Sequence, residues 1–190
     1  ARVLRLRALD PLRPLPDAAE RGNVLHDIIR RFLTPAPAAG DSPEFLAARL
    51  LAAADEVLAA QVPWPAVRMF WRARIAGIAP ALARAEAERL AEGAPMVVET
   101  GHRLPLAGTG FTLTARPDRI DRLNDGRVVI YDYKSGKPPT DKQIAAFDKQ
   151  LILEAAMARR GGFDALGPAE VAGISYIQLG GEGETHPRQY

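Results

Sequence analysis

The apolar residues of this 190-residue chain change period at "EGAP", residues 92–95, and that switch limits what can fold as helix and what can fold as sheet. Before it, "DAAERGNVLHDIIRRFL" sets Val24, Leu25, Ile28, Ile29 and Phe32 on one helical stripe, with Asp17 as its cap. "TPAPAAGD" breaks that helix. Ser42 and Pro43 open a second, running to about Ala60, and a third spans about Trp64 to Glu92 with room for a kink at Pro80. After the switch, residues 96–106, 111–123 and 127–134 read as consecutive strands, turning at "AGTG" and "NDG". A helix from about Asp141 to Arg160 stops at Gly161-Gly162, and "VAGISYIQL" makes a last strand. This order predicts one domain: an extended arm over 1–16, a helical part over 17–92, and a sheet core over 93–190. The fold class is mixed α/β, with a mainly antiparallel central sheet flanked by helices and a helical insertion.

Within the sheet, "VVIYDYKSGK" (128–137) places an acid and an amine two residues apart on a strand where four apolar or aromatic residues lead into them. Residues two apart share a face, so Asp132 and Lys134 stand side by side. Whether Asp118 of "ARPDRIDRL" joins them depends on the intervening turn. If Asn124-Asp125-Gly126 is a three-residue loop with Gly126 left-handed, Leu123 opposes Arg127 and Asp118 falls opposite Asp132. A two-residue turn would put Asp118 opposite Tyr133, on the wrong face. Two adjacent carboxylates repel unless a divalent cation lies between them. In the odd-loop register Asp121 lies on the far face, where Arg119 or Arg122 can neutralise it.

Pro117-Asp118, thirteen intervening residues and then Asp132-Tyr133-Lys134 resemble the signature of PD-(D/E)XK nucleases. More narrowly, "GNVLH" (22–26), "ARPDRID" (115–121), "DYKSGK" (132–137) and "QLILE" (150–154) are similar to the ordered motifs GxxxH, GxxD, DYK and QxxxY of RecB-like nucleases. The arrangement is most similar to the C-terminal nuclease domain of AddB-type subunits of helicase-nuclease repair complexes. Ala115 stands where the family has Gly, and Glu154 where Tyr is common. The resemblance implies a restriction-endonuclease-like core and a Mg²⁺- or Mn²⁺-dependent nuclease. Its catalytic set would be Asp118, Asp132 and Lys134, with His26, Asp118, Asp132 and the Tyr133 carbonyl around the metal. Gln150, Gly22, Lys137 and Glu154 would support the substrate or the site. It further implies single-stranded DNA ends as substrate in double-strand break repair and an AddA-type partner subunit. The cysteines that hold an iron–sulfur cluster in some relatives are absent.

The donor types suit that chemistry. Phosphodiester hydrolysis needs charge neutralisation and an activated water, which hard carboxylate ligands and a bound cation supply. An imidazole from His26 suits Mn²⁺, and Lys134, which cannot ligate while protonated, is left to orient water or stabilise developing charge. The competing readings are a D-x-K surface ion pair, a hydrogen-bonded core histidine, a nuclease fold that binds DNA or a partner without cutting, and an RNA-directed nuclease. Glu154 is balanced between site and solvated surface. Trp64, Phe70 and Trp71 could stack on bases, but at helical spacing such residues are more often core or a partner-facing surface, and the stacking reading is set aside. "KSGKPP" lacks the leading glycine of a phosphate-binding loop.

Composition removes other classes. A chain without cysteine forms no disulfide, zinc-thiolate site, iron–sulfur cluster or thiol nucleophile. A formal net charge of +2 makes no general case for nucleic acid, so any basic footprint must be local. No apolar run approaches a membrane span, and the start "ARVLRLRALD" has no signal-peptide core. The chain reads as a fragment of a longer, cytoplasmic protein.

Overall fold

A computed structural model describes residues 17–140, 142–143, 149–179 and 187–188. The predicted arm over 1–16 lies outside them. Three helices come first: α1 (Ala18–Phe32), α2 (Pro43–Gln61) and α3 (Pro65–Glu92). Asp17 caps α1 in a reciprocal capping box with Glu20, and Ser42 caps α2 with Pro43 in its first turn. Helix α3 runs through Pro80 as one element.

The strands are β1 (Gly93–Val98), β2 (His102–Pro105), β3 (Thr112–Ala115), β4 (Arg119–Leu123), β5 (Val128–Lys134), β6 (Val171–Gln178) and β7 (Pro187–Arg188). Helix α4 (Gln150–Arg159) precedes β6. Five strands form the main sheet in the order β1-β4-β5-β6-β7, with β5/β6 parallel and the other neighbours antiparallel, as the mixed fold class requires. The parallel pair needs a crossover, and α4 lies within it. Of the helix expected over 141–160, Lys142–Gln143 and Gln150–Arg159 are helical, while residue 141 and residues 144–148 are outside the described part. Its end is as expected: Gly161 is left-handed (φ 71°), and Gly162 N–H donates to the Met157 carbonyl at 2.9 Å, closing the helix on its last turn.

The expected meander is corrected in one respect. Residues 96–106 and 111–123 are not two long strands. Each is broken, and the tips β2 and β3 pair as a separate two-stranded sheet. The breaks lie opposite each other. Glu99 takes a left-handed backbone (φ 48°), and its N–H meets the carbonyls of Pro117 and Asp118 at 3.0 and 3.2 Å. Pro117 itself has no N–H to continue a ladder.

Side-chain alternation then gives the sheet two different faces. Tyr131, Tyr133, Ile177 and Leu179 pack under α1, α2 and α3. Ile120, Val128, Ile130 and Ile174 pack against Leu151, Met157 and Ala158 of α4 and against Phe163. Burying each large aliphatic side chain contributes about 1.5–3 kcal/mol, so both apolar layers hold the strands flat against their helices.

Candidate metal centre

Gly126 is left-handed (φ 89°), its N–H donates to the Leu123 carbonyl, and Leu123 N–H donates to the Arg127 carbonyl at 2.8 Å. The odd loop is therefore present. Arg119 pairs with Tyr131 and Ile120 with Ile130, so the same register one residue further sets Asp118 against Asp132. Asp118 Oδ2 accepts the Tyr133 N–H at 2.7 Å, which locks the two strand ends together. Lys134 Nζ is 2.8 Å from Asp132 Oδ2 and 5.7 Å from the centre of the Tyr176 ring.

Helix α1 crosses the end of these strands. Val24, Ile28 and Phe32 bury its apolar stripe, which turns His26 toward the sheet end. His26 Nδ1 lies 3.3 Å from Asp118 Oδ1 and 3.2 Å from Glu99 Oε1. One turn earlier, Gly22 approaches Ser135, whose Oγ would sit 3.7 Å from an added Cβ. Donor atoms of His26, Glu99 and Asp118 all lie within 4.8 Å of one another, close enough to hold one metal ion.

Glu99 is the residue that sequence reasoning missed. Val98 pairs with Arg119, so Glu99 comes level with Asp118 at the break. The parity was hidden by a bulge: the register shifts between Pro95 and Val97, and an unbulged strand would have set Glu99 against Pro117 on the other face.

Glu154 turns inward. It is buried on α4, Gln150 donates to its Oε1 at 3.2 Å, and its Oε2 has no hydrogen-bond partner among the described residues. Burial pushes its pKa up to about 7, and the nearby charges of Asp132 and Asp118 push the same way against Gln150 and Lys134. Asp132 rises to about 6, mainly through burial, with Lys134 opposing and Asp118 adding to the shift. His26 moves to about 10 because Asp118 and Glu99 hold its protonated ring. Without metal, an imidazolium thus stands among the carboxylates. The donor set fits a hard divalent cation: oxygen ligands and one imidazole, with carboxyls whose charge the protein alone leaves undercompensated.

Gln150 is exposed at the start of α4 and reaches the centre through Glu154, and Lys137 is exposed beyond β5. Asp121 is on the far face with Arg119, as the odd loop predicts. Trp64 and Trp71 pack partly buried against the helical core, whereas Phe70 is exposed.

A profile of the PD-(D/E)XK nuclease superfamily matches residues 1–190, and the chain belongs to that superfamily. Curated relatives include uncharacterised proteins of Rickettsia bellii (24% identical over 168 residues) and of Rickettsia felis (24% over 173 residues). Each match takes in 86% of this chain and 20% of the relative, so the chain spans about one fifth of their length. A protein of Rickettsia conorii is similar at 23% over 167 residues, 85% of this chain and 20% of that protein. Among the described residues no helix is long and apolar enough to cross a membrane.

Proposed function

We propose that this chain is a divalent-metal-dependent deoxyribonuclease domain of a longer cytoplasmic protein, acting exonucleolytically on single strands that a helicase supplies during double-strand break repair. The further likeness to AddB-type nuclease domains, with an AddA-type partner, rests on the four ordered motifs. The observation that carries the hydrolytic reading is the convergence of His26, Glu99 and Asp118 at one strand end, with Asp132 opposite Asp118 and Lys134 beside Asp132.

In this reading His26, Glu99, Asp118 and Asp132 would hold Mg²⁺ or Mn²⁺, with the Tyr133 carbonyl as a further oxygen donor. A bound cation supplies charge neutralisation at the phosphate and a lowered pKa for water. The chain's own groups do the rest. Asp118 is fixed by the Tyr133 N–H, so its free oxygen keeps one direction. Lys134, anchored on Asp132, can donate to a water or to a non-bridging phosphate oxygen and so stabilise charge as it develops. Glu154 and its donor Gln150 bound the centre on the α4 side, where a carboxyl with a pKa of about 7 can take up or release a proton near neutrality. Incubation with end-labelled single-stranded DNA, duplex DNA and RNA, in Mg²⁺, Mn²⁺ or EDTA, tests the proposal. Metal-dependent shortening of single-stranded DNA from an end is expected. Intact substrate in both metals would refute cleavage, and preferential loss of RNA would move the substrate class.

A further inference from the structure

A small cavity of about 70 Å³ opens beside the metal centre, between α1, α3 and the segments that follow β5 and β6. Arg21 and Arg74 stand at its walls with Ser135, and Trp71, Ile75 and Leu179 give it apolar surface. It shares its frame with the candidate centre. Ser135 follows Lys134, Arg21 lies on the helix that carries His26, and Leu179 N–H donates to the Lys134 carbonyl at 2.7 Å. The Arg21 Nε is buried and has no hydrogen-bond partner among the described residues. A guanidinium nitrogen buried without an acceptor costs desolvation that an anionic ligand would offset. Arg74 is exposed, 5.7 Å from the Phe70 ring, and has no acidic partner in any ion pair of the described residues.

We infer that the arginine-lined mouth of this cavity is a subsite that holds one phosphate of single-stranded DNA next to the phosphate to be cut, with an edge of its sugar or base against the apolar wall. The inference rests on the nuclease reading and adds the place where the strand is held. Two cationic forks beside an indole and an aliphatic wall combine phosphate binding with a surface for a base or sugar. With the arginines engaged by phosphate, only Ser135 in the lining could meet a ribose 2′-hydroxyl, and the rest of the wall is apolar, so deoxyribose is the better occupant. Gly22 keeps the rim open: its missing side chain would project toward Ser135.

The test is binding in EDTA, where cleavage plays no part, of fluorescein-labelled (dU)₁₀ and (rU)₁₀ followed by anisotropy. Changing Arg21 and Arg74 together to Gln should weaken (dU)₁₀ binding about tenfold and reduce the slope of log Kd against log salt by about 1.4, at roughly 0.7 per phosphate contact on a single strand. Arg74→Gln alone, at an exposed position, should give about half that slope change and guards against misfolding of the double variant. With unchanged metal affinity, the variants should raise KM for single-stranded DNA more than they lower kcat. Slope and Kd equal to the parent's would overturn the subsite, and (rU)₁₀ binding as tightly as (dU)₁₀ would overturn its deoxyribose assignment. If the parent binds (dU)₁₀ through these arginines but never cuts with metal, the subsite stands and the hydrolytic reading falls.

Discussion

The two faces of β4 and β5 bury charge in opposite ways. On the α3 side Arg119 is fully buried, its Nε and Nη2 each 2.6 Å from Asp121, its Nη1 2.7 Å from Glu86 and 3.2 Å from the Tyr133 hydroxyl. Arg89 adds a second cation on Glu86 at 2.9 Å. Two acids meet two guanidinium groups: although burial alone would raise Glu86, Arg119 and Arg89 hold it below the ordinary range, while burial keeps Asp121 above its own against the pull of Arg119. One residue along the same strands, Asp118 and Asp132 join Glu99 and Glu154, four acids against His26, Lys134 and the exposed Arg116 that pairs with Glu99. The balanced face completes itself within the chain. The other is left short of positive charge, which is the condition for taking up a cation.

Breaking the surplus should therefore remove function, and breaking the balance should remove the fold. The largest effect is expected for Asp132→Asn: cleavage falls about a thousandfold or more, as when a transition-state contact is deleted. Metal-free melting stays level or rises, because a carboxyl that burial and Asp118 push up to about 6 no longer has to ionise. Activity within tenfold of the parent in Mg²⁺ would remove Asp132 from the centre.

Arg119→Met tests the other face. It strands Glu86 and Asp121 in the core and should cost about 3–5 kcal/mol in urea unfolding, as removal of one partner from a buried pair does. Replacing all three by apolar residues of similar volume should recover most of that loss, whereas no apolar replacement on the other face should recover cleavage. A single variant as stable as the parent would show that the network is not what ties α3 to β4.

How far this contrast was legible depended on local chemistry. The odd loop at Asn124-Asp125-Gly126 fixed the Asp118–Asp132 pairing, because only Gly126 there takes φ 89° without strain and the register follows from counting. It also sent Asp121 to the far face beside Arg119. Glu86 and Glu99 could not be counted in this way. Glu86 reaches Arg119 from a helix 33 residues away, and Glu99 depends on a bulge that sequence does not mark. Glu154 sat between two readings because a helix period does not say how deep a face lies. Its burial against β5 comes from the crossover.

Proton linkage sharpens the comparison with a smaller effect. Asp132, Glu154 and His26 all have folded pKa values above their ordinary ones: 3.8 to about 6, 4.5 to about 7, and 6.5 to about 10. Each folded group binds its proton more tightly than the unfolded one. Its stabilising contribution is full below the unfolded value and is lost as pH rises through the folded value. The metal-free protein should lose melting temperature across about pH 4–7 relative to Glu154→Gln, which lacks one of these groups. Mn²⁺ affinity should rise over the same range, and calorimetry near pH 8 should detect about one proton released per metal, lost in His26→Asn. A Mn²⁺ affinity flat from pH 5 to 8 would mean that these groups do not compete with the cation.

The smallest change in stability should come at Glu99, where position and charge can be separated. Its φ of 48° is disfavoured for a side chain with a Cβ, at roughly 1–2 kcal/mol. Glycine removes that strain but adds about 0.5–1 kcal/mol of unfolded-state entropy. Glu99→Gly also removes the 3.1 Å ion pair with the exposed Arg116, worth about 0–1 kcal/mol. These contributions nearly cancel, leaving the lost 3.2 Å contact with the protonated His26, so the metal-free stability of Glu99→Gly should fall by about 1 kcal/mol in urea unfolding. If the left-handed turn exists to aim a ligand, Mn²⁺ affinity should nonetheless fall by about tenfold or more. The proton on His26, held by Asp118 and Glu99 together, should also leave at lower pH, which NMR titration of the imidazole would show. Unchanged affinity with an unchanged His26 titration would make Glu99 only the hinge between β1 and β2. Lower stability with intact metal binding would assign its role to the turn and return the centre to the residues counted from the odd loop.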